Sequence, residues 1–91
     1  MDIRNGWHED DYNNKIHYVN DLRHKEDGPA IICKNGSLFY FINNKFHRED
    51  GPACYYGKHY KEWWFKGKFV SNTKDFSLEQ FKKHIKLLSF L

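Results

Sequence analysis

A seven-residue phrase occurs twice in this chain with one conservative difference. Residues 24–30, HKEDGPA, return as residues 47–53, HREDGPA, so the offset between the copies is 47 − 24 = 23 residues. A period between roughly 20 and 50 residues is typical of architectures in which one supersecondary unit stacks on the next. We therefore expect a repeat array, and we expect its function on the surface that the stacked units share.

The same offset aligns side chains upstream of each copy. Three columns result: Tyr18, Phe41 and Trp64; His17, Tyr40 and Trp63; Val19, Ile42 and Phe65. Aromatic and β-branched runs between Asn, Asp and Gly clusters are typical of strands joined by tight turns. The predicted strands lie near 15–20, 29–34, 37–43, 52–57, 59–66 and 68–70. They form an antiparallel meander of about two and a half hairpin repeats over residues 15–70.

Each copy of the phrase forms a corner between strands. The corner residues are His24, Asp27, Gly28 and Pro29 in the first copy, and His47, Asp50, Gly51 and Pro52 in the second. The two glycines are expected to adopt a backbone angle that a Cβ would forbid, and the prolines fix φ without donating to a ladder. The histidines and aspartates are expected to hydrogen-bond the corner's backbone or each other across repeats. We predict a structural role for these residues rather than catalysis or metal binding.

From Ser77 the pattern becomes helical. Ser77 and Gln80 form a capping box, and Phe76 with Phe81 forms a hydrophobic staple. Apolar residues then recur on one face with lysines opposite, which predicts a helix over about 78–90. The last turn is apolar on several sides, so its tail either tucks into a groove or joins a second subunit. The candidate homodimer residues are Leu87, Phe90 and Leu91.

Length and composition predict one domain over 1–91, mainly all-β, closed by a C-terminal capping helix within 77–91. A chain of 91 residues buries only about 60–65 % of its unfolded surface, and 19 % aromatic residues compensate. Cys33 and Cys54 are not equivalent in the repeats and no CxxC pair occurs, so neither a disulfide framework, a metal site nor a cofactor is expected. Without a secretory signal or an apolar run of about 18 residues, we expect a cytoplasmic protein and no membrane insertion.

These residues resemble MORN-type repeats, whose units are β-hairpins stacked into an elongated sheet. The phrase HREDGPA, followed by an aromatic pair and Gly-Lys, resembles a divergent MORN-like repeat of small uncharacterised proteins in phages, bacteria and large DNA viruses. Residues 46–68 match best. Asp21-Leu22 stands where Gly-Lys is expected, and residues 70–72 replace His-Arg-Glu, which indicates capping units at both ends. The resemblance implies the fold more strongly than the scaffolding activity of ordinary MORN proteins, because the corner differs from their glycine pattern.

Catalysis is disfavoured. The His and Asp residues recur once per unit, as scaffold residues do, and no nucleophile elbow, phosphate loop or zinc-helix motif is present. We therefore expect a protein that is not an enzyme.

A binding role fits the aromatic columns better. Because side chains alternate along a strand, Trp63 is expected on one face and Trp64 on the other, with Phe41 and Tyr18. The helix can cover only one face; the other either stays open as a ladder or is buried by twist and loops. We expect a protein partner, since Tyr and Trp are enriched at interfaces. The candidate partner-binding residues are Tyr18, Phe41, Trp63, Trp64, Lys66 and Lys68.

Charge supports an alternative. Residues 58–91 hold eight Lys against three acids, whereas residues 1–57 hold seven Lys or Arg against nine acids. In this second hypothesis the chain binds nucleic acid or a nucleotide, with aromatic rings of 58–68 stacking bases and lysines contacting phosphates. Lys66 is expected on the face of Trp64, and Lys61 beside Trp63. The resemblance, with an Asn, Lys, Ile, Phe and Tyr bias expected of AT-rich coding, suggests a viral or phage factor that inhibits a host defence complex.

Overall fold

Hairpins follow one another along residues 2–88, the part of the chain that the computed structural model describes. The strands are β1 (Gly6–Glu9), β2 (Lys15–Val19), β3 (Leu22–Arg23), β4 (Ile31–Ile32), β5 (Leu38–Phe39), β6 (Phe41–Ile42), β7 (Lys45–Phe46), β8 (Cys54–Tyr56), β9 (Tyr60–Phe65) and β10 (Lys68–Ser71), and the helix is α1 (Leu78–Leu88). The main sheet has the order β1-β2-β4-β5-β8-β9-β10, with β3 also paired to β2, and β6 pairs with β7. All pairings are antiparallel, which confirms the predicted mainly-β meander with a C-terminal helix.

The 23-residue period recurs in the backbone hydrogen bonds. Five bonds have a counterpart one period later, and the largest difference in length within a pair is 3.1 Å against 3.4 Å. Named donor first, the pairs are His17–Ala30 and Tyr40–Ala53, His24–His17 and His47–Tyr40, Lys25–Phe41 and Arg48–Trp64, Ala30–Phe39 and Ala53–Glu62, and Asn44–Arg23 and Gly67–Phe46. The duplicated phrase therefore builds the same backbone geometry twice.

The tips of the three repeat hairpins share one turn chemistry. Both central residues of each tip have positive φ: Asn20 (49°) and Asp21 (67°), Asn43 (48°) and Asn44 (69°), and Lys66 (50°) and Gly67 (81°). This is the geometry of a type I′ turn, whose twist matches that of the flanking strands. Asn and Gly tolerate it readily, whereas a lysine does so at some cost.

Strand β1 is an element that the sequence pattern missed. It pairs with β2 from Gly6 opposite Tyr18 to Glu9 opposite Lys15. A shift of 23 residues maps the β1–β2 register onto the β4–β5 register, so β1 takes the place in the first hairpin that β4 takes in the next. Its sequence, GWHE, lacks the aromatic and β-branched run that marks the other strands. The short strands β3 and β7 were missed too, and the predicted strand 37–43 is divided into β5 and β6, which belong to different sheets.

The start of α1 follows the predicted capping pattern. The Ser77 backbone N–H donates to Gln80 Oε1 at 2.8 Å, and the Gln80 N–H donates to Ser77 Oγ at 3.1 Å. Phe81 is completely buried against Trp63, with 5.0 Å between ring centroids. Partly buried apolar residues of β10 and α1 surround this contact. The helix thus covers the side of the sheet that carries Trp63 and Phe65.

The apolar tail was a candidate dimer interface. Leu87 is strongly exposed on α1, as that hypothesis needs. Phe90 and Leu91 lie outside the described residues. The dimer therefore stays a prediction.

The corner glycines do not adopt the expected backbone angle. Positive φ occurs at Gly6, Gly36, Gly57 and Gly67, and not at Gly28 or Gly51. A Cβ on Gly51 would lie 2.9 Å from Arg48 Cζ, whereas a Cβ on Gly28 would meet nothing nearer than Lys25 Cε at 3.9 Å. The expectation of a glycine-only angle is wrong, and at the second corner a Cβ would displace the Arg48 guanidinium that lies over Gly51.

The corner histidines bind a different partner from the one expected. His24 Nδ1 accepts a hydrogen bond from the Asn43 N–H at 2.9 Å, and His47 Nδ1 accepts one from the Lys66 N–H at 2.9 Å. Both donors belong to the tip of the next hairpin rather than to the corner. The histidines therefore fasten each repeat to its successor. The corner aspartates Asp27 and Asp50 instead pair with the basic residue two positions before them.

Candidate functional site

One side of the sheet carries a continuous set of aromatic rings, which we call the aromatic face. Its members are Phe39, Phe41, Phe46, Tyr56, Tyr60, Trp64 and Phe69. Consecutive rings lie between 4.5 Å and 6.0 Å apart, measured between centroids. They share a side because residues directly opposite in an antiparallel pair project the same way, as Phe69 and Trp64 do.

Three rings of the aromatic face are open to solvent. Tyr56 is 42 % exposed, Tyr60 41 % and Phe69 50 %, whereas Trp64 between them is half-buried. Helix α1 packs against the opposite side of the sheet. The open rings lie at the end of the array that is nearest to α1 in sequence.

Of the two alternatives for the ladder of Tyr18, Phe41 and Trp64, open or buried, the structure has Tyr18 and Phe41 buried. Tyr18 is only 8 % exposed and Phe41 only 3 %. The Arg4 guanidinium lies 3.8 Å from the Tyr18 ring centroid, and the Phe46 ring lies 4.5 Å from that of Phe41. Neighbouring side chains on the same face therefore cover these two rings, and Trp64 is the one ladder residue that stays partly accessible.

Trp63, also a candidate, lies on the other side of the sheet beneath α1 and is 7 % exposed. Its ring contacts those of Phe76 at 5.3 Å and Phe81 at 5.0 Å. A partner on the aromatic face cannot reach it. Among the candidate aromatic residues, only Trp64 remains available to such a partner.

The lysines near the aromatic face lie on its reverse side. Lys66 Nζ lies 5.2 Å from the Phe65 ring centroid, so the expectation that it shares the side of Trp64 is wrong. Strand alternation fails there because Lys66 has positive φ at a hairpin tip. Lys68 on β10 stands directly opposite Phe65 on β9, and Lys61 Nζ lies 5.9 Å from the Tyr55 ring centroid. A strand of nucleic acid needs stacking rings and cations together, and these three lysines do not lie on the side of the open rings Tyr56, Tyr60 and Phe69.

Glu62 organises the polar edges of the aromatic face. Its Oε1 accepts from Trp64 Nε1 at 3.0 Å and from the Tyr56 hydroxyl at 3.4 Å, and its Oε2 accepts from the Tyr60 hydroxyl at 2.9 Å. One carboxylate therefore holds three rings in place. Sequence reasoning missed Glu62. It lies two residues from both Tyr60 and Trp64 on β9, and this spacing, which places all three side chains on one side of the strand, is the signal that would have found it.

Two ionisable side chains beside Glu62, those of Cys54 and Tyr56, have raised pKa values. Burial, with Glu62 adding a negative charge nearby, raises the pKa of Cys54 to about 12. Burial, followed by the charges of Cys54 and Glu62, raises the pKa of Tyr56 to about 12. Both groups stay protonated near neutral pH, and the thiolate is the reactive form of cysteine. This face therefore presents neutral rings around one carboxylate rather than a nucleophile.

The two corners enclose a groove of about 560 Å³ that includes Tyr40 and His47. Its cations are already paired: Lys25 Nζ lies 2.5 Å from Asp27 Oδ1, and Arg48 Nε lies 3.1 Å from Asp50 Oδ1. Across residues 2–88, no group of three His, Cys, Asp or Glu side chains is arranged to hold a metal ion. These internal pairings favour the structural role predicted for the corner.

No protein-family model, curated protein or solved structure matches the chain. In the described part of the chain, the helix is too short and too polar to cross a membrane. The case for a function therefore rests on the geometry of the aromatic face and of the surfaces beside it.

Proposed function

We propose that this chain is a non-catalytic binding module that engages a protein partner through the aromatic face. The exposed rings of Tyr56, Tyr60 and Phe69 around a half-buried Trp64 are the observation that carries the proposal. Tyr and Trp provide large, rigid contact area at a small cost in conformational entropy, and they dominate the energetics of protein interfaces. A partner that buries these rings gains affinity without having to order flexible side chains.

The chemistry of the face indicates what kind of surface fits it. Glu62 is a carboxylate at the centre of the open rings, so an anionic backbone is a poor ligand. An apolar protein surface that carries an arginine suits it better, because the guanidinium both pairs with a carboxylate and stacks on aromatic rings. The resemblance extends the proposal to a viral or phage factor whose partner belongs to a host defence complex.

The test compares two exposed aromatic sites. Replacing Tyr56 and Phe69 with Ala removes open rings from the face, whereas Tyr12→Ala removes a still more exposed ring from the β1–β2 turn. Tagged wild type and variants are incubated with host lysate, and the recovered partner is quantified by mass spectrometry. Circular dichroism and a urea titration confirm that each variant folds.

We expect a stoichiometric protein that wild type and Tyr12→Ala retain and that the Tyr56→Ala/Phe69→Ala variant loses by about tenfold or more, as for truncated hot-spot residues. Equal retention by all three proteins would refute a role for the aromatic face. Recovery of nucleic acid instead of protein, detected by absorbance at 260 nm, would support the nucleic-acid alternative.

A further inference from the structure

We propose that a second site, on the helix side of the sheet, binds a small phosphorylated molecule. A pocket of about 490 Å³ lies between the tip that joins β8 to β9 and the segment that leads into α1. We call it the basic pocket. Its charged or polar walls include Lys58, Lys61 and Lys74, and Trp63 and Phe76 form apolar walls. The volume lies in the range of small-molecule sites, and the lining contains no carboxylate.

The cations of the basic pocket form no ion pair within residues 2–88. Among the described residues, ion pairs involve Lys25 and Arg48 of the corners but none of the pocket's three lysines. Unpaired ammonium groups around a concave surface focus a positive potential into it. They are therefore available to an anionic ligand, unlike the cations of the corner groove.

Trp63 adds a fixed hydrogen-bond donor. Its ring is held by Phe76 and Phe81, and among the described residues no hydrogen bond is made by its indole N–H, whereas Trp64 Nε1 donates to Glu62 at 3.0 Å. The residue is 7 % exposed and forms a wall of this pocket. A rigid donor at the margin of a cationic pocket suits an oxyanion.

The charge of the repeated sequence differs between the second corner and the basic pocket. Residues 72–74, which line the basic pocket, are one period beyond residues 49–51 of the second corner. The corner has Glu, Asp and Gly there, and the pocket has Asn, Thr and Lys. Residues 72–74 therefore add positive charge to the basic pocket, where the equivalent residues of the second corner carry negative charge.

The ligand class follows from these donors. Several ammonium groups and an N–H recognise a phosphate group by charge-assisted hydrogen bonds. A bare phosphate fills only a small part of about 490 Å³, and Trp63 and Phe76 offer apolar surface to the rest of a ligand. A phosphate ester with an organic group is therefore the ligand that matches the pocket.

The test is isothermal titration calorimetry of the full chain with four probes: ATP, ribose 5-phosphate, inorganic phosphate and adenosine. We expect both esters to bind, inorganic phosphate to bind at least about tenfold more weakly than ATP, and adenosine not to bind. ATP binding without ribose 5-phosphate binding identifies a nucleotide as the source of the phosphate. The absence of binding by both esters would overturn the proposal, as would adenosine binding as tightly as ATP.

Matched variants separate the pocket from general charge. Lys58→Gln/Lys74→Gln removes two pocket lysines, and Lys82→Gln/Lys83→Gln removes the same charge from the exposed part of α1. We expect ATP affinity to fall by about tenfold or more in the first and by less than about twofold in the second. Equal losses would overturn the site, and so would an oligonucleotide that binds more tightly than ATP and depends on all four lysines.

A Trp63 variant tests the indole donor. Trp63→Phe keeps an aromatic ring and removes the N–H, so we expect it to weaken ATP binding without unfolding the chain. Unchanged ATP affinity in folded Trp63→Phe would remove the donor from the proposal and contradict it as stated. None of these variants alters Tyr56 or Phe69, so the two binding proposals fail independently.

Discussion

The hydrogen bond from the Lys66 N–H to His47 Nδ1 makes the stability of the array depend on pH. Only a neutral ring with its lone pair on Nδ1 can accept this bond, because protonation places a hydrogen there. Burial lowers the pKa of His47 below its ordinary value of 6.5; Glu49 opposes this shift, and Lys66 reinforces it. The unfolded chain therefore binds a proton more readily than the folded chain below about pH 6.5.

The sign of the effect follows from that difference. The stabilisation from neutral His47 is fully present above about pH 6.5 and is lost as the pH falls through the folded pKa. One group contributes at most about 1.4 kcal/mol per pH unit in that window. His47→Ala removes the bond and the ring contact with Phe65 at 4.9 Å, and we expect it to cost about 1–3 kcal/mol.

His47→Asn is the discriminating variant. Its Oδ1 takes the place of Nδ1 and still accepts from the Lys66 N–H, but it does not titrate. Urea unfolding at pH 7.5 and pH 5.5 gives the free energy of unfolding for wild type and variant, and the difference between their pH dependences isolates His47. We expect wild type to lose more stability on acidification than His47→Asn. Parallel losses in the two proteins would refute the reasoning.

Three further changes test local features of the fold by urea unfolding. Lys66→Asn places a residue that tolerates positive φ at a hairpin tip, so we expect the free energy of unfolding to rise by about 0.5–1 kcal/mol. A lower free energy of unfolding would contradict the inference that positive φ strains Lys66. Gly51→Ala forces a guanidinium to move and should destabilise the chain, whereas Gly28→Ala, where the space is open, should be neutral or stabilising; equal effects would show that space is not the cause. Phe81→Ala empties a fully buried site and should cost about 3–5 kcal/mol, against less than about 0.5 kcal/mol for exposed Leu87→Ala.

Local chemistry made several elements of this fold predictable. Ser77 and Gln80 specify a helix start by their own hydrogen bonds, and the Asn43-Asn44 tip specifies a hairpin by its tolerance of positive φ. Lys66 shows the limit of such reasoning. The residues Lys66-Gly67 predict a turn, and the positive φ of both confirms it. Alternation along β9 nevertheless assigned Lys66 to the side of Trp64, and alternation no longer holds where the turn begins.

The open and buried rings were harder to separate, because burial depends on the neighbouring repeat. Arg23, Phe46 and Phe69 are spaced by 23 residues, and each stands opposite one ladder ring. Phe41 is enclosed because Arg23 and Phe46 both lie against it. Phe69 has Trp64 on one side and no later repeat on the other, so it stays half exposed. The columns alone do not contain this difference between an interior ring and a terminal one.

The aromatic face and the basic pocket both lie where the 23-residue repeats end. An interior repeat of a stacked array must satisfy a neighbour on each side, which restricts its side chains to those that fit both contacts. The last repeat has no successor to fasten, and residues 70–74 no longer carry the histidine and acidic residues of the corner. There the stack leaves Phe69 open on one side of the sheet, and the altered corner forms the basic pocket on the other. The duplicated phrase thus builds the scaffold, and binding is expected where the duplication ends.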